Sequence, residues 1–170
     1  MAETPWLTII GMGADGVAGL PAPSQAALAA AEVILAPPRH LDLIGETAAE
    51  RLAWPVPFAD GIALLKGLRG RRTVVLASGD PFWFGAGRVI ADMFAAGDWV
   101  AIPAPSSFSI AAARLGWPLE TTLCLGLHAA PIARLRPHLA RGVRIIVTLR
   151  DGAAVADLTG YLAETGFGDS

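Results

Sequence analysis

The chain contains one cysteine, Cys124, so no internal disulfide can form, and a single thiol fits a cytoplasmic protein. No uninterrupted apolar run reaches the roughly 18 residues of a membrane span. The opening Met1-Ala2-Glu3-Thr4-Pro5 lacks the basic stretch and apolar core of a signal peptide. Charge is scarce: 16% of residues are charged and the formal net charge is −2, which leaves no basic footprint for nucleic acid. Three histidines, His40, His128 and His138, are scattered and give no metal-ligand spacing. Gly-x-Ser-x-Gly and Gly-Lys-Ser/Thr are both missing, which removes the nucleophile elbow and the phosphate-binding P-loop. What is present is 170 residues, 54% of them hydrophobic, enough for one large domain or two small ones around a real core.

The most informative stretch runs from Thr73 to Gly87. Residues 73–77 are apolar and rich in β-branched side chains, the pattern of a strand buried on both faces of a parallel sheet. Ser78-Gly79-Asp80-Pro81 ends the strand with a flexible glycine, a carboxylate and a rigid exit, and Phe82-Trp83-Phe84 follows. Ligands of open α/β sheets bind beyond the carboxyl ends of the strands, which makes this loop the candidate site. The same residues also fit a tight strand-to-helix turn with the three aromatics packed into the core.

The remaining pattern is that of alternating strands and helices. A strand over 6–10 runs into Gly11-Met12-Gly13-Ala14-Asp15-Gly16, the spacing of a dinucleotide fingerprint. Residues 17–23 delay the helix that a pyrophosphate would need, and the next strand, 33–36, ends in Pro37 with no acidic residue for a ribose hydroxyl. A dinucleotide-binding NAD(P) oxidoreductase domain is therefore the alternative function. Ser24 is expected to cap a helix over 25–31. Arg39 and His40 lie just past a strand end and read either as cleft residues or as ordinary surface. No pattern stands out over 46–60, where Pro55 and Pro57 intervene. A helix over 61–68 leads to Arg69, Arg71 and Arg72, a solvated charged face. A helix over 88–94, a strand over 99–102 and a helix capped by Ser106 or Ser107 follow. Those serines serve as caps, with or without a ligand sharing the same N–H groups. Trp117-Pro118-Leu119-Glu120 reads as a hinge between domains at 1–116 and 117–170. The second domain shows strand 122–127 with Cys124 in its core, helix 132–139, strand 143–149 and helix 153–164. Two strands make a marginal sheet, so the second domain is expected to be incomplete and the natural polypeptide to continue.

Three loops taken together resemble the tetrapyrrole methylases, which use S-adenosylmethionine to methylate porphyrinoid rings. They are Ile9-Ile10-Gly11-Met12-Gly13-Ala14-Asp15-Gly16, Ser78-Gly79-Asp80-Pro81-Phe82-Trp83-Phe84-Gly85, and Pro103-Ala104-Pro105-Ser106-Ser107-Phe108-Ser109 with Ala112-Ala113-Arg114-Leu115-Gly116. Leu127-His128 and the closing Gly166-Phe167-Gly168-Asp169-Ser170 are most similar to the branch acting at carbon 5 of the corrin precursor in cobalamin synthesis. That branch includes the N-terminal halves of two-domain enzymes that also act at carbon 15. The chain departs from it at His128-Ala129-Ala130, where His-Gly-Arg is usual, and at Pro37-Pro38, where a glycine is usual.

The resemblance implies two small α/β domains with the cofactor cleft between them, a homodimer, and a corrin-precursor tetrapyrrole as substrate. It implies that Ser78, Gly79, Asp80 and Trp83 line S-adenosylmethionine, with Ser106, Ser107, Leu127 and Pro21 alongside. Gly11 and Gly13 are placed on the substrate side, and Arg39, Arg88 and Arg114 are candidates to hold the ring's acetate and propionate groups, each with a plain surface reading beside that one. His128, the only histidine at an expected strand end in the cleft, is the choice for a proton-handling or substrate-binding role. No protein-bound metal is implied. A fragment that binds cofactor without turnover is the remaining alternative.

Overall fold

Short runs of leucine and β-branched residues lie at the centre of the fold, as expected of strands covered on both faces. A computed structural model describes residues 5–170. Strands β1 (Leu7–Met12), β2 (Val33–Ala36), β3 (Glu50–Ala53), β4 (Thr73–Ser78) and β5 (Trp99–Ile102) form a sheet in the order β3-β2-β4-β1-β5. Its pairings are all parallel, with Ile9 opposite Val75, Gly11 opposite Ala77 and Ile10 opposite Ile102. Helices α1 (Ala22–Ala29), α2 (Pro38–Leu43), α3 (Phe58–Gly67) and α4 (Gly87–Met93) connect the strands.

Side-chain alternation along each strand divides the core in two. Ile10, Met12, Ile34, Val74 and Leu76 pack with Leu28 of α1 and Leu41 of α2. Leu7, Ile9, Val33, Leu35 and Val75 pack with Ile62 and Leu65 of α3 and Ile90 of α4. Right-handed crossovers account for this segregation, because α1 and α2 lead toward β3 while α3 and α4 lead back toward β5. Each fully buried Leu or Ile contributes about 2 kcal/mol, so the two helix layers hold the sheet from both sides.

The chain divides into two compact units, one ending at Ser106 and one spanning Ser107–Ser170. The expected domain limits, 1–116 and 117–170, fall at the other end of α5 (Ser107–Leu115). In the second unit β6 (Thr122–Gly126) and β7 (Arg144–Thr148) pair in parallel, with Leu125 opposite Val147, and α6 (Ala154–Glu164) follows. Both units are α/β, as expected.

Several local expectations need correction. Residues 132–138 form a 3-10 segment and not an α-helix, since Pro137 lies inside it and supplies no N–H. Residues 46–60 contain the edge strand β3 and the start of α3. Ser24 does not cap α1: the cap position is Pro21, and Ser24 lies one turn inside, fully buried, with no hydrogen-bond partner for its hydroxyl. The arginine run behaves as read, with Arg69, Arg71 and Arg72 at the surface pairing with Asp98, Glu50 and Glu32.

His40 is not surface. It is 3% exposed on α2, and burial, followed by the neighbouring Arg39 charge, lowers its pKa against an opposing hydrogen bond with the Leu76 backbone. The folded protein therefore holds His40 neutral where the unfolded chain protonates. Stability is full above the ordinary histidine pKa of about 6.5 and declines as pH falls from there toward the folded value. Urea unfolding at pH 7.5 and 5.5 should show this decline, up to about 1.4 kcal/mol per pH unit, and the variant His40→Gln should show a flatter profile. Equal slopes for the two proteins would remove His40 as the cause.

Candidate functional site

The strand order sets the place of the site. From β1 the chain crosses to β2 on one side, and from β4, its neighbour, it crosses to β5 on the other. The loops beyond Met12 and Ser78 thus part onto opposite faces and leave a crevice at the carboxyl ends of β1 and β4, the position at which doubly wound sheets bind ligands.

Backbone contacts hold this crevice together. The Gly79 N–H donates to the Met12 carbonyl at 2.9 Å, and the Gly79 carbonyl accepts from the Ala104 N–H at 3.2 Å. A Cβ on Gly11 would lie 1.9 Å from the Gly79 oxygen and 2.5 Å from the Ala104 nitrogen, so only glycine lets the three loops meet. Gly79 itself has φ +57, and a Cβ there would lie 3.1 Å from the Pro105 oxygen and from the Ser106 Cα. The loops after β1, β4 and β5 therefore form one backbone assembly, with Ser106 at its edge.

Beyond Gly79 the loop is ordered by its own polar groups. Asp80 accepts the Phe82 N–H on Oδ1 at 2.8 Å, and the Pro81 carbonyl accepts the Gly87 N–H at 2.8 Å where α4 begins. Phe82, Trp83 and Phe84 are 43%, 49% and 57% exposed, which excludes the core-packed reading of this loop. Phe84 adopts φ +57, a left-handed conformation that costs a non-glycine residue about 1–3 kcal/mol and is typical of ligand-contacting loops. Phe82 leans on Trp99, and Trp83 meets Phe84 edge-on.

Other candidate residues fall around this frame. Arg39, on α2, donates to the Ser78 hydroxyl at the end of β4, which joins one expected substrate residue to one expected cofactor residue. Arg88 lies on α4, 3.7 Å from Asp92 one turn on, and Arg114 lies in the last turn of α5. Pro21 caps α1. Gly13 follows β1, and its carbonyl accepts the Gly16 N–H at 3.4 Å. In the second unit Leu127 is buried, its N–H donating to the Thr148 carbonyl at 2.8 Å, and the His128 Nδ1 lies 3.4 Å from the Thr148 hydroxyl. Ser107 begins α5. Burial raises the Cys124 thiol above its ordinary pKa, which leaves it protonated and a poor nucleophile at neutral pH. Among the described residues no three His, Cys, Asp or Glu side chains gather as metal ligands, and no helix is long and apolar enough to cross a membrane.

The dinucleotide alternative meets an obstacle in the first loop. Asp15 turns its carboxylate back onto Gly13, 2.5 Å from the place of a Cβ, and the segment after it is the short 3-10 turn Gly16–Gly19. A carboxylate stands where a pyrophosphate would need N–H donors. Sequence reasoning did not single out the Ala104 N–H. Its signal was available, since Ala104 lies between Pro103 and Pro105 and alone among the three has an N–H to give.

Known proteins share the sequence pattern and the fold of this chain. The family model for Tetrapyrrole (Corrin/Porphyrin) Methylases matches residues 6–169. A precorrin-6Y C(5,15)-methyltransferase [decarboxylating] from Sinorhizobium sp is 42% identical over 98% of this chain. A protein of the same name from Mycobacterium tuberculosis is 36% identical over 96% of it. The chain spans 41% of the length of each. The crystal structure of the methyltransferase CobJ superposes with a TM-score of 0.74 at 23% identity, covering 95% of this chain and 76% of that one. The precorrin-6Y methylase cbiE from Archaeoglobus fulgidus superposes with a TM-score of 0.66 at 24% identity, covering 85% of this chain and 73% of that one. The chain belongs to the tetrapyrrole (corrin/porphyrin) methylases.

Proposed function

We propose that this chain is an S-adenosylmethionine-dependent C-methyltransferase acting at carbon 5 of a precorrin in cobalamin synthesis, working as a cytoplasmic homodimer. The observation that carries the reading is the crevice beyond β1 and β4, where glycine at 11 and 79 lets the backbones of three loops meet closer than any side chain would allow. The 42% identity to a precorrin-6Y methyltransferase supports the choice of ring and carbon.

The residues present fit the cofactor. Asp80 offers a carboxylate, half-buried beside the glycines, suited to an ammonium or to ribose hydroxyls through charge-assisted hydrogen bonds. Trp83 presents an exposed ring, Ser106 and Ser107 lie at the end of the loop after β5, and Pro21 flanks the first loop. Leu127 keeps the cofactor role that the resemblance gives it, His128 the proton-handling role that its place at a strand end suggests, and Gly11, Gly13, Arg39, Arg88 and Arg114 the substrate side. The cofactor would supply a methyl group already activated on a sulfonium centre. The chain's own work is to orient the two reactants and exclude water, an alignment worth about 7–11 kcal/mol. Few acids or bases are needed for that, which suits a crevice made mainly of backbone.

Calorimetric titration with S-adenosylhomocysteine, with NADH alongside, tests the proposal. Micromolar binding of the first and none of the second is the expected result. Binding of NADH alone would replace this reading with the oxidoreductase one.

A further inference from the structure

Five of the chain's twelve arginines have acidic partners among the described residues. Arg69, Arg71, Arg72, Arg88 and Arg150 each lie against an aspartate or glutamate. Arg39 pairs with no carboxylate among the described residues, and its guanidinium reaches from α2 to the hydroxyl of Ser78, a neutral acceptor. The contact fixes the direction of the guanidinium and leaves its charge intact. Of five N–H donors, one points at Ser78, and the remaining edge can take a carboxylate in a two-pronged fashion.

The backbone under Arg39 is anchored. Pro38 precedes it, and the next two residues, His40 and Leu41, are buried at 3% and 8% exposure. Its partner is anchored too, since Ser78 stands opposite Met12 in the β1–β4 register and immediately precedes Gly79. Arg39 and Ser78 are both exposed, so the charge sits at the rim of the switch-point crevice and open to a ligand. Arg88, by contrast, already faces Asp92.

We propose that Arg39 receives a ligand carboxylate at this crevice and that Ser78 holds its guanidinium in the receiving position. The inference rests on the methyltransferase reading of the crevice. The carboxylate belongs either to the amino-acid end of the cofactor or to an acetate or propionate arm of the tetrapyrrole; the recognition chemistry is the same.

The test is calorimetric titration of the unmodified chain, Arg39→Gln, Arg39→Lys and Arg72→Gln with three probes. They are S-adenosylhomocysteine, 5′-methylthioadenosine, which lacks the amino-acid end, and uroporphyrin III, which carries eight carboxylates. Loss of a charge-assisted contact predicts a weakening of about 10- to 100-fold for Arg39→Gln, with partial recovery in Arg39→Lys and no change in Arg72→Gln, whose guanidinium lies against Glu32. A loss confined to S-adenosylhomocysteine, with methylthioadenosine unaffected, assigns Arg39 to the cofactor carboxylate. A loss confined to uroporphyrin III assigns it to the tetrapyrrole. Both support the proposal, and equal affinities of Arg39→Gln and the unmodified chain for every probe overturn it while leaving the methyltransferase reading intact. If the unmodified chain binds none of the three probes, the methyltransferase reading and this inference fall together. Both side chains are exposed, so unchanged melting temperatures are expected and confirm that the variants fold.

Discussion

Gly11→Ala is expected to abolish S-adenosylhomocysteine binding, by about 100-fold or more, and to destabilise the first unit by about 1–3 kcal/mol. The added methyl would fall 1.9 Å from the Gly79 oxygen and 2.5 Å from the Ala104 nitrogen, inside the hydrogen bond that joins those two atoms. Both neighbours are backbone, so neither can rotate away. The loop after β4 or the loop after β5 must shift, and the crevice changes shape with it. Gly67→Ala is the matched control. Gly67 ends α3 with nothing within 4 Å of the place of its Cβ, and alanine there should stabilise by about 0.5–1 kcal/mol with no change in binding. Calorimetry with thermal unfolding reads both quantities. Normal affinity in Gly11→Ala would mean that the meeting of the three loops does not form the ligand site.

The parts of this fold that could be read in advance are those in which burial forces the residue type. β1, β2 and β4 are apolar on both faces because helices cover both sides of the sheet there, and a continuous apolar run signals that arrangement; β5, at an edge, is apolar as well but only partly buried. β3 has one covered neighbour and an open edge. Its residues, Glu50, Arg51, Leu52 and Ala53, therefore show almost no hydrophobic pattern, and its register comes from β2 alone. Pro37 ends the strand as expected, and α2 begins at Pro38, since proline in the first turn of a helix forfeits only an N–H that has no intrahelical partner.

The candidate site was legible at the level of loops and not at the level of side-chain direction. Gly79 and Gly11 reveal themselves because close backbone approach admits no other residue. The exposure of Phe82, Trp83 and Phe84 could not be read, because three successive aromatics in a turn fit a core as well as a rim. His40 is the converse: a polar residue flanked by Arg39 and Asp42 looks like surface, and only the packing of α2 against Ile10 and Leu76 buries it. The contact of Arg39 with Ser78 links residues 39 positions apart, which no local pattern encodes.

Asp80 gives the second large effect, and two variants separate its two roles. Its Oδ1 holds the Phe82 N–H at 2.8 Å, so the carboxylate shapes the loop whatever else it binds. Asparagine at this position keeps an oxygen acceptor for that N–H but loses the charge, whereas alanine loses both. If the carboxylate also binds the cofactor's ammonium or ribose, Asp80→Asn should weaken S-adenosylhomocysteine about 10- to 100-fold, with the loop preserved. Asp80→Ala should weaken it further, because the aromatic segment after it loses its tether. The reading would be sunk by Asp80→Asn binding like the unmodified chain while Asp80→Ala fails, since Asp80 would then be a turn-former and the cofactor's polar end would need another partner. A loss shared by both variants, larger in alanine, assigns the charge to the ligand and the geometry to the turn.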